Sequence, residues 1–305
     1  MQPPNSALVT GPVTAMHLCM ARERQQCCYP DPKRLGHHAS KALVEEAELT
    51  PKPGLVDRRG PGSHHDLSLR LFVVSAHVLR PYFQSMAEEA QRERVQVVLR
   101  TTLGAIGRNA ESEMLRATNA TNTHRGAIWS LGLLTAAAAT QQSPDAARIC
   151  CAAGELARLP DSFHCTEESM KLPPWRPHMA FGARTEAIDG FPHVISIGLP
   201  TLRRARATGV PEELARVDAL LAIMSTLPDT CILQRGGASA LEEVQQEARR
   251  IGDLGGTSNA FGSRVFQSLE RIMLQRWVSP GGSADMLAAT LFLDQLSSVW
   301  TSSCD

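Results

Sequence analysis

The chain has little with which to stack nucleobases and no excess charge to hold a polyanion. Only 5% of its 305 residues are aromatic, and 31 Lys and Arg balance 31 Asp and Glu. Nucleic-acid binding needs a basic face, and single-strand binding adds aromatic platforms, so nucleic acid is not expected as a partner. Long apolar runs are missing too. Leu131 to Ala139 comes nearest to a membrane span and is far too short. The eight cysteines include the neighbours Cys27–Cys28 and Cys150–Cys151 but no CxxC pair. That spacing suits neither a zinc knuckle nor a disulfide framework. No basic stretch followed by an apolar core opens the chain, so reduced thiols in a cytoplasm are the expected setting. The glycosylation pattern Asn119-Ala120-Thr121 then carries no meaning. Phosphate-binding P-loops and GxGxxG fingerprints are absent, so any nucleotide must sit in another cradle.

What is present is helical. Residues 1–38 show weak periodicity and read as a variable, partly disordered extension. Cys27, Cys28, His37 and His38 lie there with the wrong spacing for a metal. From 39 to 305 the pattern predicts one compact, all-α multi-helix domain. A short helix over 40–49 must end at Thr50-Pro51, because the residue before proline leaves the helical region. A loop rich in Gly and Pro follows. Helices are then expected over 66–86, with a kink or break at Pro81, over 91–116, and from the polar cap at 119–123 into the apolar run ending at Ala139. Another is expected over 143–160, irregular chain over 161–176, and an amphipathic helix over 211–226 with Leu214, Val217, Leu221 and Met224 in step. Leu241, Val244, Ala248 and Ile251 repeat the pattern, as do Val265, Leu269, Ile272 and Met273. Ser283 is a candidate cap for a last helix reaching Trp300.

Against this background, ionisable residues gather beside Gly and Pro. Lys52 lies between two prolines that could aim its ammonium at a phosphate. Glu46 precedes it, and Asp57, His64 and Asp66 follow closely, a set suited to metal binding or proton transfer. The alternative is that Asp57 shapes a turn and Asp66 starts a helix. Asn122, His124 and Arg125 stand at a helix N-terminus, where free N–H groups and the dipole favour an anion. Gly126 lets another group come close. Glu113 belongs with them. Arg184 and Glu186 form a third cluster, Asp229 and Arg235 a fourth. In the fifth, Gly281 and Gly282 feed a helix with Asp285 in its first turn, a plausible phosphate cradle. Carboxylates beside several cations suit a Mg²⁺–polyphosphate site.

Six blocks in order carry a resemblance: ELTPKPGLVD (48–57), GSHHDLSL (62–69), TNTHRGAIWSLGLL (121–134), EAIDGFP (186–192), DTCILQRGG (229–237) and SPGGSADMLAATLFL (279–293). Together they resemble the triphosphoribosyl-dephospho-CoA synthase family. The resemblance implies an all-helical transferase that uses ATP and 3′-dephospho-CoA. The ribose 2′-hydroxyl of the CoA substrate attacks the anomeric carbon of ATP, and adenine leaves. The product is the prosthetic-group precursor of an acyl carrier protein in malonate decarboxylase or citrate lyase, attached by a separate transferase. Arg125 followed by Gly-Ala-Ile-Trp leans toward the malonate branch. In that chemistry Asp57, His64 and Asp66 are the expected catalytic residues. Lys52, Asn122, His124, Arg125, Arg184, Arg235, Gly281 and Gly282 are expected to hold the triphosphate, and Glu46, Glu113, Glu186, Asp229 and Asp285 the Mg²⁺ or ribose hydroxyls. Leu67, Arg125, Thr185 and Cys231 depart from the family's usual residues, and none removes an ionisable group. A homo-oligomer is compatible with all of this. Two rivals are an adenine-releasing hydrolase and a non-catalytic helical protein that binds a CoA-like ligand or a carrier.

Overall fold

The structure, a computed structural model, describes residues 29–163, 182–296 and 299–300. Cys27 and Cys28, most of the expected extension, and positions 164–176 of the expected irregular stretch lie outside these residues. Among the described residues regular structure is helical throughout, with one isolated bridge between Asp57 and Gly60. The all-α expectation holds.

Helix α1 spans Pro32–Glu48. It therefore begins inside the stretch assigned to the extension. Asp31 accepts from the Lys33 N–H and Pro32 fills the first turn, a cap followed by a proline whose missing N–H costs nothing there. The chain leaves the helix at Leu49, just before Thr50-Pro51, as expected. Helix α2 spans Leu69–Arg92, starts at the Ser68 cap and runs unbroken through Pro81. Proline removes one backbone bond, but Leu79, Phe83 and Met86 are buried on either side of it. Packing, rather than propensity, keeps the helix in one piece.

Helices α3 (Gln96–Ala117) and α4 (Arg125–Ala139) follow. In α4, Ala127 and Ile128 and every residue from Ser130 to Ala139 are buried, as its lack of an apolar stripe foretold. Then come α5 (Ala146–Arg158) and α6 (Ala183–Ile188), a π-helical turn over His193–Gly198, α7 (Leu199–Ala207) and α8 (Glu212–Met224). Helix α9 (Thr230–Asp253) is broken in direction at Gly237, whose φ of 71° lies where side chains are disfavoured. Helix α10 spans Ala260–Gln275 and α11 spans Gly281–Gln295. Ser283 is thus inside α11 rather than its cap.

Two apolar helices form the centre. Helix α4 packs on α1, α2, α3, α5 and α11, and α11 packs on α1, α4, α8 and α9. The outer helices are amphipathic and shield the central pair. With helix sides used for packing, the loops and helix ends are left to carry chemistry.

Candidate functional site

One cleft collects most of the polar clusters. Its inner lobe, about 300 Å³, is lined by the end of α1 (Glu46), the α1–α2 loop (Lys52, His64, Asp66), and the first turns of α4 (Asn122–Gly126), α9 (Cys231, Gln234, Arg235) and α11 (Gly281, Asp285). A second lobe of about 390 Å³ shares Asn122, Arg125, Gly126, Cys231, Gln234 and Asp285, and adds Glu186, Asp229 and Gly282. Both volumes fall in the range of ligand sites. Three helix N-termini therefore border one void, and each contributes positive potential.

The arrangement of each side chain follows from local geometry. Asn122 Oδ1 accepts from the Arg125 N–H at 3.1 Å and caps α4. Arg125 is 59% exposed; its Nε donates to Glu111 at 2.6 Å, which leaves the outer fork free to face a ligand. Arg235 donates to the Ser63 carbonyl at 2.6 Å and to His64 Nδ1 at 3.1 Å. Because Nδ1 accepts, the His64 proton resides on Nε2. Burial, then the Arg235 charge, hold the His64 pKa down at about 4. His64 therefore presents a neutral Nε2–H donor to the cleft.

Lys52 does not aim at a phosphate. It is 2% exposed, and its ammonium donates to the Glu46 carbonyl at 2.6 Å and to Glu46 Oε1 at 2.7 Å. This buried pair forms a wall of the inner lobe. Asp285 has no hydrogen-bond partner among the described residues. A methyl group on Gly126 would overlap its carboxylate, so glycine at the start of α4 is what admits Asp285. Burial, then Glu46 and Asp229, raise the Asp285 carboxyl well above the usual range. Asp66 is exposed at the mouth, also without a partner.

Asp229 has a different task. It is 1% exposed. Oδ1 accepts from the Cys231 and Ile232 N–H groups, while Oδ2 accepts from the Ser283 N–H at 2.7 Å and Oγ at 2.9 Å. One carboxylate caps α9 and ties it to α11. Methyl groups on Gly281 and Gly282 would fall 2.9 Å from Cys231 Sγ and 3.2 Å from Asp229 Oδ2. Those glycines serve the close approach of two helix starts as well as the void. Glu186 accepts from the His193 N–H and pairs with His193 Nδ1, each at 2.8 Å. It faces the second lobe with both oxygens engaged.

Three expected residues stand elsewhere. Asp57 is buried behind the loop and accepts from Lys52 N–H, Arg59 N–H and the Arg59 guanidinium. Burial pushes its carboxyl up, but the Arg59 side chain and these N–H groups outweigh that, so the net shift is downward. Its donors all come from the α1–α2 loop that carries it, so Asp57 shapes the loop. Glu113 pairs with Arg116 on the outside of α3. Arg184 is exposed, lines neither lobe, and lies within electrostatic reach of Arg100. Among the described residues no three His, Cys, Asp or Glu side chains gather into a metal cage. Sequence reasoning did not single out Gln234 or Ser75; Ser75 sits mid-helix in α2 with no motif to flag it.

Comparison with known proteins gives the family. Residues 32–164 and 176–303 match the family model described as ATP:dephospho-CoA triphosphoribosyl transferase. The chain is 47% identical over 263 residues to the 2-(5''-triphosphoribosyl)-3'-dephosphocoenzyme-A synthase of Klebsiella pneumoniae, covering 86% of this chain and 94% of that one. A protein of Stutzerimonas stutzeri (strain A1501), bearing the same name with the qualifier "probable", is 50% identical over 266 residues, covering 87% and 92%. Among solved structures, a protein of Archaeoglobus fulgidus provisionally named triphosphoribosyl-dephospho-coA synthase superposes with a TM-score of 0.50 at 20% identity. That match covers 74% of this chain and 98% of the other, and supports the fold. With a family model spanning most of its length and relatives near half identity, the chain belongs to the ATP:dephospho-CoA triphosphoribosyl transferase family.

Proposed function

We propose that the cleft transfers the 5-triphosphoribosyl group of ATP to the ribose 2′-hydroxyl of 3′-dephospho-CoA and releases adenine. The observation that carries this reading is the convergence of three helix N-termini with Arg125 and Arg235 around a void that also holds unpaired carboxylates. A triphosphate needs the first, and an oxocarbenium-like sugar needs the second. Arg125 and Arg235 grip phosphates from the rim. Asp66, exposed and unpaired, takes the proton of the attacking hydroxyl.

The donor set fits a Mg²⁺ ion arriving with ATP. Asp285 lies in the field of Glu46 and Asp229 with no cation of its own, and the second oxygen of Glu46 has no partner among the described residues. Asp285 and Glu46 would hold the metal, with phosphates and water completing its shell, as Mg²⁺ prefers. The ion supplies charge neutralisation of the triphosphate. The modified CoA would pass to the separate transferase that loads an acyl carrier protein, with the malonate decarboxylase system the favoured destination. The test is adenine release by chromatography with 3′-dephospho-CoA present and omitted. Release that requires the acceptor supports transfer; equal release without it makes water the acceptor.

A further inference from the structure

The described hydrogen bonds contain a one-directional chain that the roles above leave unused. Thr123 Oγ1 donates to Ser75 Oγ at 2.8 Å. Ser75 Oγ lies 2.7 Å from His124 Nδ1. Ser75 already accepts from Thr123, and its own hydrogen has no other acceptor among the described residues, so it points at Nδ1. His124 is then the neutral tautomer with its proton on Nε2. That Nε2–H is buried and unpartnered. A buried donor without an acceptor is costly and calls for an explanation. His124 lines the inner lobe, as does Thr123, which is only partly buried. The ring is fixed further by the edge of Phe72, with centroids 5.1 Å apart, and by the His124 N–H on Met114 Sδ.

We infer that His124 delivers the proton that departing adenine requires, refilled through Ser75 and Thr123. As the bond from the anomeric carbon to the base nitrogen breaks, its electron pair goes to adenine, and the Nε2 proton moves onto the purine. The Ser75 proton moves to Nδ1, the Thr123 proton moves to Ser75, and cleft water protonates Thr123. The proton taken by Asp66 from the attacking hydroxyl returns to solvent. The balance is one proton moved from hydroxyl to adenine, leaving His124 as the Nδ1–H tautomer without an imidazolium. Cleft water then protonates Nε2 while Nδ1, Ser75 and Thr123 pass one proton back out to water, which restores the starting tautomer. Burial and the Lys52 charge, which keep the His124 pKa at about 3, then favour the relay over simple acid catalysis. His124 is the catalytic residue, and Ser75 is a positioning and relay residue.

This rests on the transferase reading, and the test separates the two. Turnover is measured with ATP and with 4-nitrophenyl riboside 5′-triphosphate, whose leaving group departs without a proton. Variants are His124→Gln, Ser75→Ala and Thr123→Val. The relay predicts that the ratio of ATP to nitrophenyl turnover falls about 10²-fold in His124→Gln and Ser75→Ala, the scale of lost general acid catalysis, and less in Thr123→Val, where water can replace the hydroxyl. Nitrophenyl turnover also reports that each variant is folded. An unchanged ratio in an active wild-type background, or equal loss on both substrates, overturns the relay alone. A wild-type protein that transfers neither group overturns the transferase reading and the relay with it.

Discussion

The Asp229 clamp offers the sharpest energetic test. Replacing Asp229 with Ala removes the α9 cap, which costs about 1 kcal/mol. It also leaves the buried Ser283 N–H and hydroxyl without an acceptor, at roughly 1–3 kcal/mol each. With both bonds lost, the variant should be about 3–7 kcal/mol less stable, a large share of the roughly 5–15 kcal/mol that holds a typical domain. Urea denaturation of wild type, Asp229→Ala, Ser283→Ala and the double variant measures this. Because Ser283→Ala still leaves the N–H bond to Oδ2, the double variant should be less destabilised than the sum of the singles by about 1 kcal/mol. A loss below about 1 kcal/mol for Asp229→Ala, with m unchanged, would refute the claim that this carboxylate staples α9 to α11.

Four further outcomes follow from the same geometry. Gly126→Ala should displace Asp285 and cut kcat/KM at least about 10-fold; a variant with unchanged steady-state kinetics would show that Asp285 has no part in the reaction. Arg125→Lys loses the bidentate fork on an exposed residue, so KM for ATP should rise about 10-fold with little change in Tm, whereas Glu113→Ala should leave both within about twofold. Lys52→Met strands the Glu46 carboxylate and should cost about 3–5 kcal/mol in denaturant unfolding; a neutral result would mean that Glu46 is solvated by the cleft. The His124 pKa is about 3 when folded and 6.5 otherwise. Its contribution is therefore complete above pH 6.5 and is lost as pH falls toward 3, on the order of 5 kcal/mol. Denaturant midpoints across that window should fall less steeply in His124→Gln than in wild type.

Much of the site could be read from residue order because its chemistry sits in short, local features. Asn122 three residues before a helical N–H and Gly126 next to a polar cap are legible as a cap and a close approach, whereas Asp229, expected among the metal ligands, caps α9 instead. The Asp31-Pro32 helix start was equally local and was masked only by the weak periodicity around it. What escaped was set by partners distant in sequence. Nothing near Lys52 says that its ammonium will turn back to Glu46, and nothing near Gly281 says that Cys231 will fill the space above it. Of the two roles open to Asp57, the turn is the one its contacts favour, because Arg59, two residues on, supplies donors that hold it away from the cleft. Pro81 survives inside α2 because its neighbours are buried against α1 and α4, a tertiary effect that no local rule contains. Ser75 matters only because α2 brings it beside His124.

The most direct test of the account follows the sugar. The purified protein is incubated with Mg²⁺, 3′-dephospho-CoA and ATP carrying ¹³C throughout its ribose, and the products are resolved by mass spectrometry. The account predicts unlabelled free adenine and a dephospho-CoA species heavier by one triphosphoribosyl unit that carries the label. Labelled ribose triphosphate beside unmodified dephospho-CoA, or no adenine at all from the folded protein, would contradict it.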